Sequence, residues 1–232
     1  MICTRRQFAA AWAVSKQDAF ELLEMGRDSR WPHADSEILP GSLVKPFTAL
    51  AYGAANGQRF PKVRCEGCRP GTVHGDLDLI EAIAVSCNRY FEVLSLQTRH
   101  EQACLVASEY GMPTPPDTVD ARIGLGRQWR MQPAALLRAY SGLAANHAHP
   151  AVKLILEGMK QCALRGTAKA MESRGDVLAK TGTAPCEHKH AMPGDGLAIA
   201  LWPADAPRRI VLVREHGVPG AQASKRLRGY FG

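Results

Sequence analysis

Val177-Leu178-Ala179-Lys180-Thr181-Gly182-Thr183-Ala184 is a short β-type run, and two more follow it, Gly196 to Trp202 and Ile210 to His216. Gly, Pro and Asp turns separate the three, which predicts an antiparallel meander. Upstream the texture is helical. Pro133 to Asn146 carries Leu136, Leu137, Tyr140 and Leu143 on one face behind a first-turn proline. Helices are also expected from Ser42 to Ala55 with Ser42 as N-terminal residue, over Asp78 to Val85, from Arg89 to His100, from Ala151 to Leu164 and from Ala221 to Phe231. Ala19 to Met25 reads as a short strand or helix, Asn56 to Asp76 as a loop, and Gly111 to Asp117, with three prolines, as a break. Helices in the middle and strands at the end make an α+β fold, with helices packed on an antiparallel sheet.

Composition agrees with one globular unit. The chain has 232 residues, 46% hydrophobic and 22% charged, enough for one sizeable core and unlike a disordered, collagenous or disulfide-scaffold sequence. Lys and Arg total 29 against 22 Asp and Glu, a net charge of +7. The surplus is spread along the chain instead of forming a basic block, so it suits an anionic partner without implying nucleic acid. No run approaches the roughly 18–20 apolar residues of a membrane-spanning helix. Thr4-Arg5-Arg6-Gln7-Phe8, followed by the apolar run Ala9 to Val14, looks like a twin-arginine export signal, the alternative being a basic, frayed terminus. Residues 1–14 are accordingly read as a leader or anchor stump, and 15–232 as the one folded domain.

Seven cysteines are present, at 3, 65, 68, 87, 104, 162 and 186, and only Cys65-Glu66-Gly67-Cys68 has paired spacing. That pair reads as a local disulfide in an oxidising compartment, as half of a zinc site in a reducing one with Cys186, His188 and His190 as the second ligand group, or as two plain thiols. His147 and His149 read as loop or surface residues.

Three short motifs stand in order: Ser42-Leu43-Val44-Lys45, Ser86-Cys87-Asn88 and Lys180-Thr181-Gly182. With ten Ser and nine Lys in the chain, chance places about 0.4 SxxK matches, but all three motifs in sequence at about one chain in a thousand. The trio and its flanks resemble the transpeptidase domain of penicillin-binding proteins. Pro40-Gly41-Ser42-Leu43-Val44-Lys45-Pro46-Phe47 is similar to that family's PGSxxKP segment, and His74-Gly75 through Ser86-Cys87-Asn88-Arg89-Tyr90-Phe91 to its SxN stretch. Gly124 to Asn146, Gly166-Thr167-Ala168 and Lys180-Thr181-Gly182-Thr183-Ala184 continue the likeness from about Leu39 to the C-terminus.

The resemblance implies an all-helical lobe beside the sheet, and an acyl-serine D,D-transpeptidase or carboxypeptidase acting on peptidoglycan stem peptides that end in D-Ala-D-Ala. β-Lactams would acylate it and cell-wall synthesis proteins would be its partners, in the periplasm or cell envelope, without a cofactor or metal. The residue types suit that chemistry. Lys45 lies one helical turn from Ser42 and, if buried near another cation such as Lys180, loses its proton and serves as base. By analogy Ser86 relays that proton to the leaving amine, while Asn88 can hold Lys45 and a substrate amide together. Lys180 would attract the peptide carboxylate, with the Thr181 and Thr183 hydroxyls nearby and Gly182 letting the substrate lie against the strand. The family's oxyanion hole maps onto the N–H groups of Ser42 and Thr183.

Departures from the family pattern are also expected. Only Ala19 to Met25 offers a strand before the nucleophile, where the family has two. Met112 to Ala121 lacks the ExxLN pattern of class A β-lactamases, so fast β-lactam hydrolysis is not expected. The sequence reads as the catalytic domain at its minimum, with no glycosyltransferase or pedestal domain. Two other readings stay open: a penicillin-binding sensor or scaffold that acylates without turnover, and a zinc-stabilised interaction protein.

Overall fold

Four strands build the main sheet: β1 (Phe20–Glu24), β4 (Leu178–Ala184), β5 (Asp195–Trp202) and β6 (Arg209–His216), in the spatial order β1-β6-β5-β4 and antiparallel throughout. The computed structural model describes residues 20–24, 35–69, 72–186 and 194–230. The strands read as apolar runs because both faces of the sheet are covered. Leu197, Ile199, Leu201, Ile210 and Leu212 face the large helical core. Ala198, Ala200, Val211 and Val213 face a second core closed by Met171, Ala223 and Leu227.

The helices are α1 (Lys45–Ala55), α2 (Leu79–Val85), α3 (Asn88–Leu96), α4 (His100–Glu109), α5 (Val119–Ile123), α6 (Pro133–Ala145), α7 (Pro150–Leu164) and α8 (Gly220–Leu227). A hairpin of β2 (Val63–Cys65) and β3 (Gly75–Leu77) stands between α1 and α2. Among the described residues no helix is long and apolar enough to cross a membrane.

The α+β architecture is as expected, and several local readings are corrected. Ser42 lies in a 3-10 turn, Gly41–Val44, and the α-helix starts only at Lys45. Gly41 enters that turn at φ +54°, a left-handed geometry, and Pro46, lacking an N–H, fits the first helical turn. The supposed loop from Asn56 to Asp76 holds β2 and β3, strands of three residues each, too short to show a period. Within the stretch read as a short strand or helix, Phe20–Glu24 is a strand, with Phe20 opposite Glu215 and Glu24 opposite Val211.

The helix expected over Arg89 to His100 is two: α3 ends at Leu96, where the Thr98 hydroxyl donates to the Leu94 carbonyl at 2.7 Å, and α4 begins at His100. α5 was not foreseen. Its signal is a capping Thr118, whose hydroxyl accepts the Ala121 N–H at 3.2 Å, and a closing Gly124 at φ +81°. The last helix runs from Gly220 to Leu227, followed by a 3-10 turn at Arg228–Tyr230. Residues 1–14, His188, His190 and Phe231 lie outside the described residues.

Gly124 also sets the turn that carries Ser42. A Cβ there would stand 2.0 Å from the Gly41 carbonyl oxygen and 2.8 Å from the Ser42 nitrogen. Gly111 has a similar φ, +68°, but nothing within 4 Å. Gly111→Ala is therefore expected to cost about 1–2 kcal/mol, the left-handed penalty alone. Gly124→Ala is expected to cost about 3–5 kcal/mol, because backbone must also move. Denaturant unfolding compares them, and equal losses would contradict the close-packing account.

Candidate active site

The site is built around one turn. α2 ends at Ser86, a non-glycine residue at φ 55° and ψ 44° whose N–H bonds back to Ala82 and Ile83. Such a left-handed residue costs about 1–2 kcal/mol and is retained where geometry demands it. Here it lets one residue serve two lysines. Lys45 Nζ donates to the Ser86 carbonyl at 2.9 Å and to Asn88 Oδ1 at 2.5 Å. Lys180 Nζ donates to the Ser86 hydroxyl at 2.8 Å and to the Thr181 carbonyl at 2.7 Å. Both lysines are 0% exposed.

Burial holds Lys45 well below the ordinary lysine value of 10.5, and the charges of Lys180 and Arg69 add to the effect against weaker opposition from Cys87 and Cys68. Burial likewise brings Lys180 down to about 8, with Cys162 opposing and Arg69 assisting. The Phe91 ring lies 5.5 Å from Lys45 Nζ and closes its pocket.

Ser42 is 8% exposed and lies in the 3-10 turn that leads into Lys45. A Cβ on Gly182 would lie 3.1 Å from the Ser42 nitrogen and 3.2 Å from the Pro40 oxygen, so glycine is what lets β4 pass against the nucleophile turn. Behind β4, a Cβ on Gly220 would stand 2.1 Å from the Gly182 oxygen, so α8 also depends on a glycine to close the layer. The Tyr140 hydroxyl donates to the Leu43 carbonyl at 2.8 Å, and its ring packs edge-on to Phe47 at 5.5 Å. α6 thus anchors the turn that carries Ser42.

Solved structures share this architecture. Pseudomonas aeruginosa PBP2, in complex with WCK 5153, superposes with a TM-score of 0.69 at 19% identity, over 83% of this chain and 58% of that one. PBPA from Mycobacterium tuberculosis gives 0.67 at 17% identity, over 97% of this chain and 79% of that one. The penicillin-binding protein PBP2 of Helicobacter pylori, in complex with MreC, gives 0.68 at 20% identity, over 83% and 48%. The fold is that of a penicillin-binding transpeptidase domain. No protein-family model matches the sequence, and no curated protein does.

Lys45, Ser86, Asn88 and Lys180 form one hydrogen-bonded group, and the Ser42 backbone passes close to Gly182, two residues on from Lys180. The two threonines are engaged differently from the expectation. The Thr181 hydroxyl bonds to the Thr167 hydroxyl at 2.6 Å, and the Thr183 hydroxyl accepts the Gly220 N–H at 3.0 Å, which leaves the Thr183 proton to offer. Asn88 spends its amide differently too: Nδ2 reaches the Cys68 carbonyl at 3.5 Å. An open cleft of about 230 Å³ borders Cys68, Asn88, Arg89, Asp120 and Leu125.

Two contributors carried no signal of their own in the sequence. Thr167, visible only as part of Gly166-Thr167-Ala168, docks its N–H on the Ala84 carbonyl at 3.0 Å and so supports Thr181. Arg69, in a stretch read as loop, donates from Nη2 to the Val85 carbonyl at 2.9 Å.

Beside the site, Cys65, Cys68, His74 and Cys87 converge, their ligand atoms within 4.8 Å of one another. His74 Nδ1 is 3.5 Å from both Cys65 Sγ and Cys68 Sγ, and Cys87 Sγ is 3.9 Å from Cys68 Sγ. A tetrahedral Cys₃His zinc centre needs ligand separations of about 3.5–3.8 Å, so this set fits a thiophilic divalent ion. Among the described residues, His74 and Cys87, brought in by β3 and α2, stand with the paired cysteines, and Cys186 does not; His188 and His190 lie outside the described residues.

Burial raises Cys68, but the Arg89 and Asn88 N–H groups at the start of α3 more than offset it, so its thiol is shifted downward. Burial and the adjoining thiols push Cys87 up to about 12, a repulsion that a cation would reverse. Zinc added to the reduced protein is expected to bind at one equivalent per chain and raise the thermal midpoint by roughly 5–10 °C at saturating concentration. Cys87→Ser should abolish the shift; an unchanged midpoint in the parent protein would show that the cluster does not hold the ion.

Proposed function

We propose that the protein is an acyl-serine D,D-transpeptidase or carboxypeptidase acting on peptidoglycan stem peptides ending in D-Ala-D-Ala, and that β-lactams acylate it. The observation that carries this reading is the pair of fully buried lysines sharing Ser86, with the strand of one of them passing against the Ser42 turn at Gly182. Burial and the neighbouring cations favour the neutral form of Lys45, which can take the Ser42 proton as Ser42 Oγ attacks the penultimate D-Ala carbonyl. The N–H groups of Ser42 and Thr183 are the donors assigned to the oxyanion. The C–N bond then breaks, and the proton held on Lys45 passes through the Ser86 hydroxyl to the departing D-Ala amine. An amine of a second stem peptide, or water, finishes the cycle by attacking the Ser42 ester. The basic twin-arginine-like start of the sequence supports placing this activity in the cell envelope.

A fluorescent penicillin should label the protein covalently, Ser42→Ala should remove the label, and D-Ala should be released from a pentapeptide. Labelling that survives in Ser42→Ala would overturn the assignment; labelling without D-Ala release would favour the sensor or scaffold reading.

The pH dependence has a definite sign. The base form of Lys45 gains population as pH rises through its lowered pKa, so acylation should climb from mildly acidic pH. Lys180 must stay charged to hold Ser86 and attract the substrate carboxylate, so the rate should fall again as pH passes about 8. A flat labelling rate from mildly acidic to alkaline pH would contradict both roles.

A further inference from the structure

We propose that Arg69 is the residue that grips the terminal carboxylate of the substrate, with Lys180 acting on it only through its field. This inference rests on the acyl-serine reading above. The sequence pattern alone gives the carboxylate to Lys180, but that ammonium is 0% exposed and two of its N–H groups are already on Ser86 Oγ and Thr181 O. It has little left to present to a ligand.

Arg69 has the opposite character. Its residue is exposed, and one nitrogen, Nη2, is tied to the Val85 carbonyl at 2.9 Å. Among the described residues its other guanidinium N–H groups have no protein partner. Val85 immediately precedes Ser86, and the neighbouring Ala84 carbonyl receives the Thr167 N–H, which supports Thr181. The guanidinium is therefore tethered to the same short turn that organises Lys180 and Thr181. Its charge also acts on both buried lysines, lowering each.

Chemistry favours arginine for the contact. A guanidinium is always charged, sheds water more readily than an ammonium, and offers paired N–H groups that match a carboxylate. The tether at Val85 fixes part of the side chain beforehand, which reduces the entropy lost on binding. The flanking chain is itself held: Cys68, one residue earlier, belongs to the Cys₃His cluster, and its carbonyl meets Asn88 Nδ2. Asn88 in turn follows Cys87 of the same cluster. One packed group of sulfur and imidazole side chains thus positions the residue at each end of the binding turn.

The test compares second-order acylation rate constants for benzylpenicillin, which bears a carboxylate, and for its methyl ester, which does not. The wild-type protein should favour the acid, and Arg69→Ala should lower the acid-to-ester ratio by roughly tenfold, the loss typical of one charge-assisted contact. Arg69→Lys keeps the charge but not the paired donors, and should fall between the two. A ratio unchanged in Arg69→Ala would overturn the inference while leaving the acyl-serine reading intact. A wild-type protein that reacts with neither compound would overturn that reading, and the inference with it.

Discussion

Two ammonium groups buried within reach of one serine are the constraint around which the rest of the structure is arranged. A buried charge costs several kcal/mol unless its donors are satisfied, and two of like sign side by side oppose each other as well. Ser86 relieves this by taking a left-handed conformation that offers its carbonyl to Lys45 and its hydroxyl to Lys180. The residual conflict is settled in protonation: both lysines are shifted downward, Lys45 further. Two lysines thereby depart from ordinary lysine behaviour through burial and neighbours alone.

The supports of this arrangement are mostly steric. α1, α2 and β4 deliver Lys45, Ser86 and Lys180 from positions far apart in sequence, so small errors in packing would separate them. Glycines at 41, 124, 182 and 220 let four backbone segments approach to distances that any Cβ would obstruct. Tyr140 adds a buried hydrogen bond to the nucleophile turn, and Arg122 ties α5 to α3 through Ser95 at 2.9 Å. The cysteine cluster plays a similar part on the open side, where Cys68 itself borders the cleft and Cys87 precedes Asn88, which also does.

Much of the site was legible because its chemistry is written in short local motifs. Ser42, Lys45, Ser86, Asn88 and Lys180 announce themselves by type and spacing, and the three β-type runs at the end of the chain fix the sheet because both its faces are buried. What escaped was whatever depends on chain segments meeting. His74 and Cys87 are 13 residues apart in sequence and join Cys65 and Cys68 only when the β2–β3 hairpin folds against α2. Arg69 looked like one more basic residue in a loop, because nothing local shows that it hangs from Val85. α4 stayed hidden because few of its side chains are buried, Val106 and Ala107 being the ones that are. The start of α1 was misplaced by a turn because Ser42 carries the composition of a helix cap while Gly41 and Pro46 impose another geometry.

The most direct measurement is the titration of the two lysine side chains themselves, followed by NMR of their 13Cε resonances in selectively labelled protein. Lys45 should lose its proton well below the ordinary 10.5, and Lys180 near 8. Both resonances titrating together at the ordinary lysine value would contradict the account, since neither group would then be buried against the other and Ser42 would have no base.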